Sequence, residues 1–291
     1  MKSTHLAINM IAINFGDLRL HVRPDMGGCI EGLWWRGQPV LRSSEAGSLR
    51  NVRLSASYPL IPFSNRVAQA KLVWNGTSHP LVKNFDGEEH SIHGVGWLRA
   101  WQVLEQSADF CMLSLEHAAD SAWPFAFDAS QTFRLHGNAL EMTMSITNQS
   151  AQAAPVGLGW HPYFVKRSAS KIAFDASGIW QMSAEKLPTA LQASAGLKQD
   201  CGSLAVDNCF EGWSGKVALH DEVMRIDIES DMRRLVVFTA PGRDFVAIEP
   251  VSHANNAMNA VSAEESAARG VVTLQPGQSW QVSMQISVSP P

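Results

Sequence analysis

The sequence predicts an all-β protein, a large antiparallel β-sandwich. Three observations carry that reading: a hydrophobic period of two, turn residues between the periodic runs, and very little helical pattern. The period is plainest over residues 140–147, where Leu140, Met142, Met144 and Ile146 alternate with Glu141, Thr143, Ser145 and Thr147. Such alternation makes a strand with one dry face and one polar face. Residues 280–288 repeat it near the C-terminus, and residues 18–22 and 224–228 show it in shorter form. Gly137-Asn138 and Asn75-Gly76 are spaced as two-residue hairpin loops. Pro276-Gly277 precedes the last run, and Pro241-Gly242 follows the apolar stretch 235–238. The one helical signal covers 262–269, with Ser262 and Glu265 spaced as a capping box and Gly270 as the stop. No linker, fixed-period repeat or shift in composition divides the chain, so residues 1–291 read as a single domain.

Composition narrows the function. Of 291 residues, 45% are hydrophobic, enough for a sizeable core, and 17% are charged, which argues against disorder. The net charge of −4 and the lack of a Lys/Arg cluster leave no electrostatic footprint for nucleic acid or an anionic membrane. No apolar run reaches membrane-spanning length, and the N-terminal residues lack the apolar centre of a signal peptide. Cys29, Cys111, Cys201 and Cys209 form no CxxC pair. Cys201 and Cys209 are near enough in sequence to pair, but reduced thiols in a cytoplasmic protein are the expectation. The expected partner is a small molecule bound by a monomer or homodimer. Neither a Walker nor a Rossmann phosphate loop occurs, nor a GxSxG elbow.

Four segments break the alternation with polar chemistry. Tyr58-Pro-Leu-Ile-Pro-Phe-Ser-Asn-Arg-Val67 sets a carboxamide, Asn65, beside a guanidinium fork, Arg66, a pairing suited to oxygen-rich ligands and equally found on an ordinary surface turn. His90-Ser-Ile-His-Gly-Val-Gly-Trp97 offers His90 and His93, but an offset of three on a strand sends them to opposite faces, against a metal site. Its glycines suggest close backbone approach to a ligand, with Trp97 as an indole wall. In Gly157-Leu-Gly-Trp-His-Pro-Tyr-Phe164, His161 stands among aromatic residues that disfavour the imidazolium; a hydrogen-bonded core histidine fits that string as well. Finally, Glu249 closes the apolar run 245–248 and precedes Pro250, with Asn255, Asn256 and Asn259 downstream to fix the loop or the carboxylate. A carboxylate there is either partly desolvated, and so a stronger base, or exposed at a strand end.

Taken in order, Pro62-Phe-Ser-Asn-Arg-Val67, Ile92-His-Gly-Val-Gly-Trp97, Trp160-His-Pro-Tyr-Phe164 and Ile248-Glu-Pro-Val-Ser-His253 resemble the aldose 1-epimerase (galactose mutarotase) family, with a shorter match at Val206-Asp-Asn-Cys-Phe210. The resemblance implies the galactose mutarotase-like supersandwich, with a sugar cleft on one face of a curved sheet. It implies Glu249 as general base and His161 as general acid. It further implies Asn65, Arg66, His93 and Asp207 on sugar hydroxyls, Tyr163 close by, and no metal or other cofactor. Pro162 after His161, and a shorter segment before Glu249, resemble the shorter bacterial branch and leave the sugar open. Opening the ring takes a proton from the C1 hydroxyl and gives one to the ring oxygen, so the acid and base are expected on opposite sides of C1.

Two rivals share these residues. A hexose-6-phosphate 1-epimerase of the same fold would need arginines at the rim, for which Arg53, Arg66 and Arg99 are available, although the Pro-Phe-Ser-Asn-Arg string resembles the neutral-sugar branch more. A non-catalytic carbohydrate-binding protein would use Trp97 and Trp160 as stacking surfaces, but has no need of an acid–base pair.

Overall fold

The computed structural model describes residues 10–291, so the expectation about a leader, which falls on residues 1–9, lies outside the described residues. The alternating runs assemble into a nine-stranded antiparallel sheet. Its order is Gln102–Gln106, Phe110–His117, Phe127–His136, Ala139–Asn148, Ser279–Ser289, Arg225–Ser230, Lys216–His220, Lys171–Phe174 and Leu197–Asp200. In Ala139–Asn148 the residues Leu140, Met142, Met144 and Ile146 are buried while Glu141, Thr143, Ser145 and Thr147 lie exposed or half-buried, as a period of two requires. His136 pairs with Ala139 across Gly137-Asn138, and Trp74 pairs with Thr77 across Asn75-Gly76. Asn75 and Gly76 both take positive φ (50° and 76°), the conformation that lets a two-residue loop follow the twist of its strands.

A second sheet runs Pro188–Ala193, Gly178–Met182, Val206–Glu211, Arg234–Thr239, Phe245–Val251, Gly159–Trp160 and Pro59–Leu60, with Tyr163–Val165 also paired to Phe245–Val251. Its inner strands are covered on both faces. Leu235, Val237, Val246 and Ile248 join Met142 and Ile146 of the first sheet, and Ile13, Leu20 and Leu33 of a four-stranded N-terminal sheet, in one large core. Phe245, Ala247 and Val251 point the other way, into a smaller cluster with Tyr58, Trp97, Tyr163 and Cys209. This double burial explains why these strands read as continuous apolar runs without alternation. Each fully buried aliphatic side chain such as Ile248 stabilises the fold by ~1.5–3 kcal/mol, so the middle of this sheet is a rigid platform.

Glu249 does not end its strand as expected. The strand continues through Pro250 to Val251, and Pro250 lies opposite Leu235. The helix is Ala263–Ala268: Ser262 Oγ accepts from the Glu265 N–H (3.1 Å), and Gly270 follows at φ +92°. The reciprocal half of the capping box is displaced by one residue, because Glu265 Oε2 accepts from the Val261 N–H instead. It is the only α-helix among the described residues, and no helix there is long and apolar enough to cross a membrane. All four cysteines are buried and free.

The glycines of the His90–Trp97 string serve packing, contrary to the expected approach to a ligand. Gly94 has φ +68°, and a Cβ there would lie 2.1 Å from the Ile61 carbonyl oxygen. The two backbones run side by side through an isolated bridge, beside a cis Ile61–Pro62 peptide. Gly94→Ala therefore meets both a strained φ and a backbone clash, and its expected loss of stability is at least about 2 kcal/mol, read as a lowered thermal midpoint.

Candidate active site

Strand alternation delivers the site. With Val246 and Ile248 committed to the core, Phe245, Ala247, Glu249 and Val251 face the opposite side. Register then sets the neighbours: Val236 lies opposite Glu249 and Phe238 opposite Ala247, while on the next strand Asp207 lies opposite Phe238 and Cys209 opposite Val236. His161 sits between Gly159–Trp160 and Tyr163–Val165, its backbone N–H donating to the Tyr58 carbonyl (3.0 Å). A cavity of about 370 Å³ opens on this face. All seven residues singled out in the sequence line it: Asn65, Arg66, His93, His161, Tyr163, Asp207 and Glu249.

At its floor, Nε2 of His161 lies 3.2 Å from Oε1 of Glu249, and both side chains are buried. Tyr163 stacks on the imidazole (centroids 4.4 Å apart), with its hydroxyl 3.4 Å from the same Nε2 and 3.3 Å from that of Tyr58. Burial pushes the Glu249 carboxyl well above its usual range, the nearby Asp207 adds to this, and Arg66 opposes it. Burial likewise pushes His161 down to about 3, with Arg42 adding to the effect. Both shifts disfavour charge, so without a ligand the pair favours a neutral acid–imidazole hydrogen bond over an ion pair. The two groups stand side by side, which corrects the expectation that they flank C1 from opposite sides.

The segment carrying Asn65 and Arg66 is held by side chains from distant parts of the chain. The Ser64 N–H donates to Nε2 of His253, the Asn65 N–H to Nδ1 of His93, the Ala68 N–H to Oδ1 of Asn256 and the Gln69 N–H to Nδ1 of His90, each at 3.0 Å. Asn65 needs this support because its φ is +54°. His90 and His93 diverge, as their spacing implied: His93 lines the cavity while His90 faces Gln69 and the Glu185 carbonyl. Burial holds His93 well below its ordinary pKa, so the ring is neutral; since Nδ1 accepts, its proton is on Nε2. Arg66 donates to Glu88 (2.7 Å) and to Oδ1 of Asn65 (3.2 Å), and Asp207 pairs with Lys186 (2.9 Å).

Other expectations are corrected. Trp97 and Trp160 are 2% and 1% exposed and offer no stacking face. Trp97 donates to the Ile92 and Gly94 carbonyls, and Trp160 donates to Gln131. The aromatic wall is instead Phe85, Phe238, Phe245 and Tyr58, of which only Phe85 lies outside the segments singled out in the sequence. Asn256 and Asn259 fix the loop, through Ala68, Val73 and Lys71, and not the carboxylate. Arg99 pairs with Asp120 away from the cavity. Sequence reasoning also missed Arg42, Arg243 and Glu88 as lining residues and His253 as a loop anchor. His253 carried a signal as the last residue of a quoted string, whereas Arg42 carried none.

The family model of aldose 1-epimerases matches residues 10–287. The uncharacterised protein YphB of Escherichia coli K12 is 30% identical over 97% of this chain and 99% of its own length. A crystal structure of a candidate aldose 1-epimerase from the same organism superposes with a TM-score of 0.88 at 30% identity, covering 98% of this chain and 100% of that one. A galactose mutarotase-like protein from Clostridium acetobutylicum shares the fold, with a TM-score of 0.85 at 18% identity over 97% and 95% of the two chains.

His93→Ala leaves the Asn65 N–H buried without an acceptor and is expected to lose ~1–3 kcal/mol. His93→Asn, whose carboxamide oxygen can replace Nδ1, should recover most of that stability, as thermal melts of the two variants will show. Burial holds His253 down at about 4, while in the unfolded chain it takes up its proton near 6.5. Between those limits the unfolded state binds more protons, so acidification from pH 7 to pH 4 should remove on the order of 3 kcal/mol through this residue. Denaturant melts of parent and His253→Asn across that range would measure the difference.

Proposed function

The chain belongs to the aldose 1-epimerase family, whose members act on sugars, and on that premise we propose that it interconverts the α and β anomers of a reducing aldose, with Glu249 as base and His161 as acid. The carrying observation is the 3.2 Å contact between two buried groups that can share one proton at the floor of a sugar-sized cavity. A shared proton is what the reaction uses. With the proton on His161, Glu249 accepts the C1 hydroxyl proton while the imidazolium protonates the ring oxygen, and the C1–ring-oxygen bond breaks. The pair then holds its proton on Glu249, the neutral form that burial favours. Rotation about C1–C2 presents the other face of the aldehyde, and reversal of the same transfers closes the ring as the opposite anomer.

The remaining residues follow from their donors and acceptors. Arg66, Asn65 and the Nε2–H of His93 offer hydrogen bonds to hydroxyl oxygens, and Asp207 accepts them. Arg66 also favours the carboxylate form of Glu249, and thus the reactive ion-pair state. Every step is a proton transfer that the chain's own residues can carry. A non-catalytic sugar-binding role gains nothing from a buried acid–base pair, and the two tryptophans it would need are enclosed.

Glu249→Gln should fold normally and bind sugar yet lose at least about 100-fold in anomer exchange, the scale of one acid–base group. Exchange between anomeric proton signals in NMR measures this, and a near-parental rate would remove Glu249 from its role. The pH profile should be a broad bell. The pair gains a second proton only near the depressed pKa of His161, about 3, and loses its one proton only above the ordinary carboxylate range. An acid limb centred near 6.5 would contradict that assignment.

A further inference from the structure

Charge is distributed unevenly around the cavity. Each carboxylate lining it has a partner: Glu88 has Arg66, Asp207 has Lys186 and Glu249 has His161. The arginines are not matched in the same way. Arg42 is spent on the Ser55 and Arg53 carbonyls, leaving its charge unneutralised, and among the described residues neither Arg42 nor Arg243 forms an ion pair. Arg53 reaches only Asp86, at 3.8 Å, and that carboxylate is fully exposed. The guanidinium of Arg42 lies 3.8 Å over the Tyr163 ring and 5.4 Å from that of Phe245, while Arg243 lies 6.0 Å from the other member of that contact, Phe245. Arg53 lies 3.6 Å over Phe85, and its carbonyl receives Arg42. All three arginines line the cavity. Since Tyr163 stacks on His161, Arg42 stands one ring beyond the acid–base pair.

We propose that Arg42, Arg53 and Arg243 form an anion subsite, and that the substrate is an aldose carrying an acidic group, a carboxylate or a phosphate, at the end remote from C1. This rests on the anomer-exchange reading above and names the class of sugar it acts on. Held against Phe85 and beside Phe245, the Arg53 and Arg243 guanidinia keep in-plane N–H donors for a bidentate oxyanion, while Arg42, whose Nε and Nη2 are taken by carbonyls, contributes its charge. Three positive charges around one cavity raise the local concentration of anions and repel none of the neutral hydroxyls. One ligand bound at both ends would place C1 over Glu249 and the acid among the arginines.

The test compares each acidic sugar with its neutral parent: galacturonate with galactose, and glucose 6-phosphate with glucose. The expected result is a KM at least 10-fold lower for one acidic member than for its parent, with the advantage shrinking as NaCl rises. The pair that shows it distinguishes carboxylate from phosphate. Arg243 is exposed and its side chain makes no hydrogen bond among the described residues, so Arg243→Gln should fold as the parent does. In that variant, and more so in Arg53→Gln/Arg243→Gln, the ratio of kcat/KM for acidic over neutral sugar should fall at least 10-fold. Equal KM values within both pairs, or a ratio unmoved in both variants, would overturn the subsite. If no sugar is accelerated, the proposed reaction fails, and calorimetry still decides the subsite. Binding of an acidic sugar that is lost in Arg53→Gln/Arg243→Gln would sustain it, whereas equal or absent binding of both sugar types would overturn it.

Discussion

A lone carboxyl cannot be enclosed on a dry sheet face without a partner, and the contact between Glu249 and His161 is what makes that face of the second sheet possible. The neighbouring side chains Val246 and Ile248 lock the strand into the core, leaving Glu249 no freedom to reach solvent. His161 is tied just as firmly, by its backbone bond to Tyr58, by Tyr163 stacked on its ring, and by the pairing of Tyr163–Val165 with the strand that carries Glu249. Enclosure shifts both groups toward their neutral forms, the condition in which one proton can pass between them with little change in net charge.

The opposite wall is built on another principle. The segment bearing Asn65 and Arg66 has little regular structure beyond the two-residue strand Arg66–Val67, so His253, His93, Asn256 and His90 accept from four N–H groups flanking that strand. Three of those acceptors are imidazoles, each with Nδ1 or Nε2 unprotonated and directed at the loop. His93 joins the two walls, since one ring nitrogen supports the loop and the other is a donor toward the cavity. The segment of Asn65 and Arg66 is thus held largely by side chains. A platform of strands carries Glu249, and a pinned segment carries the polar groups of Asn65 and Arg66.

Much of this was legible beforehand, and where it was not the reason is physical. The nine-stranded sheet has one wet face, so its period of two survives in the sequence, as residues 140–147 show. The second sheet is covered on both faces, so Phe245–Val251 shows no alternation, and nothing local marks that the strand runs past Glu249 through Val251. Trp97 and Trp160 are enclosed: aromatic residues beside polar strings suit both a wall and a core, and only packing separates those uses. Arg42 has no local mark, because its place at the cavity depends on Tyr163 and Phe245, rings distant from it in sequence.

By itself the sequence determined the all-β architecture, the hairpins at Asn75-Gly76 and Gly137-Asn138, the capped helix, and the seven polar residues that meet at one cavity, because strand period, turn conformation and motif order are local properties of the chain. Only the tertiary structure decided that Glu249 and His161 stand side by side rather than opposed, that four remote side chains hold the Asn65-Arg66 segment, and that Arg42, Arg53 and Arg243 line one cavity. Each of these depends on distances between segments far apart in the chain, and such distances are set by how the two faces of the second sheet are covered.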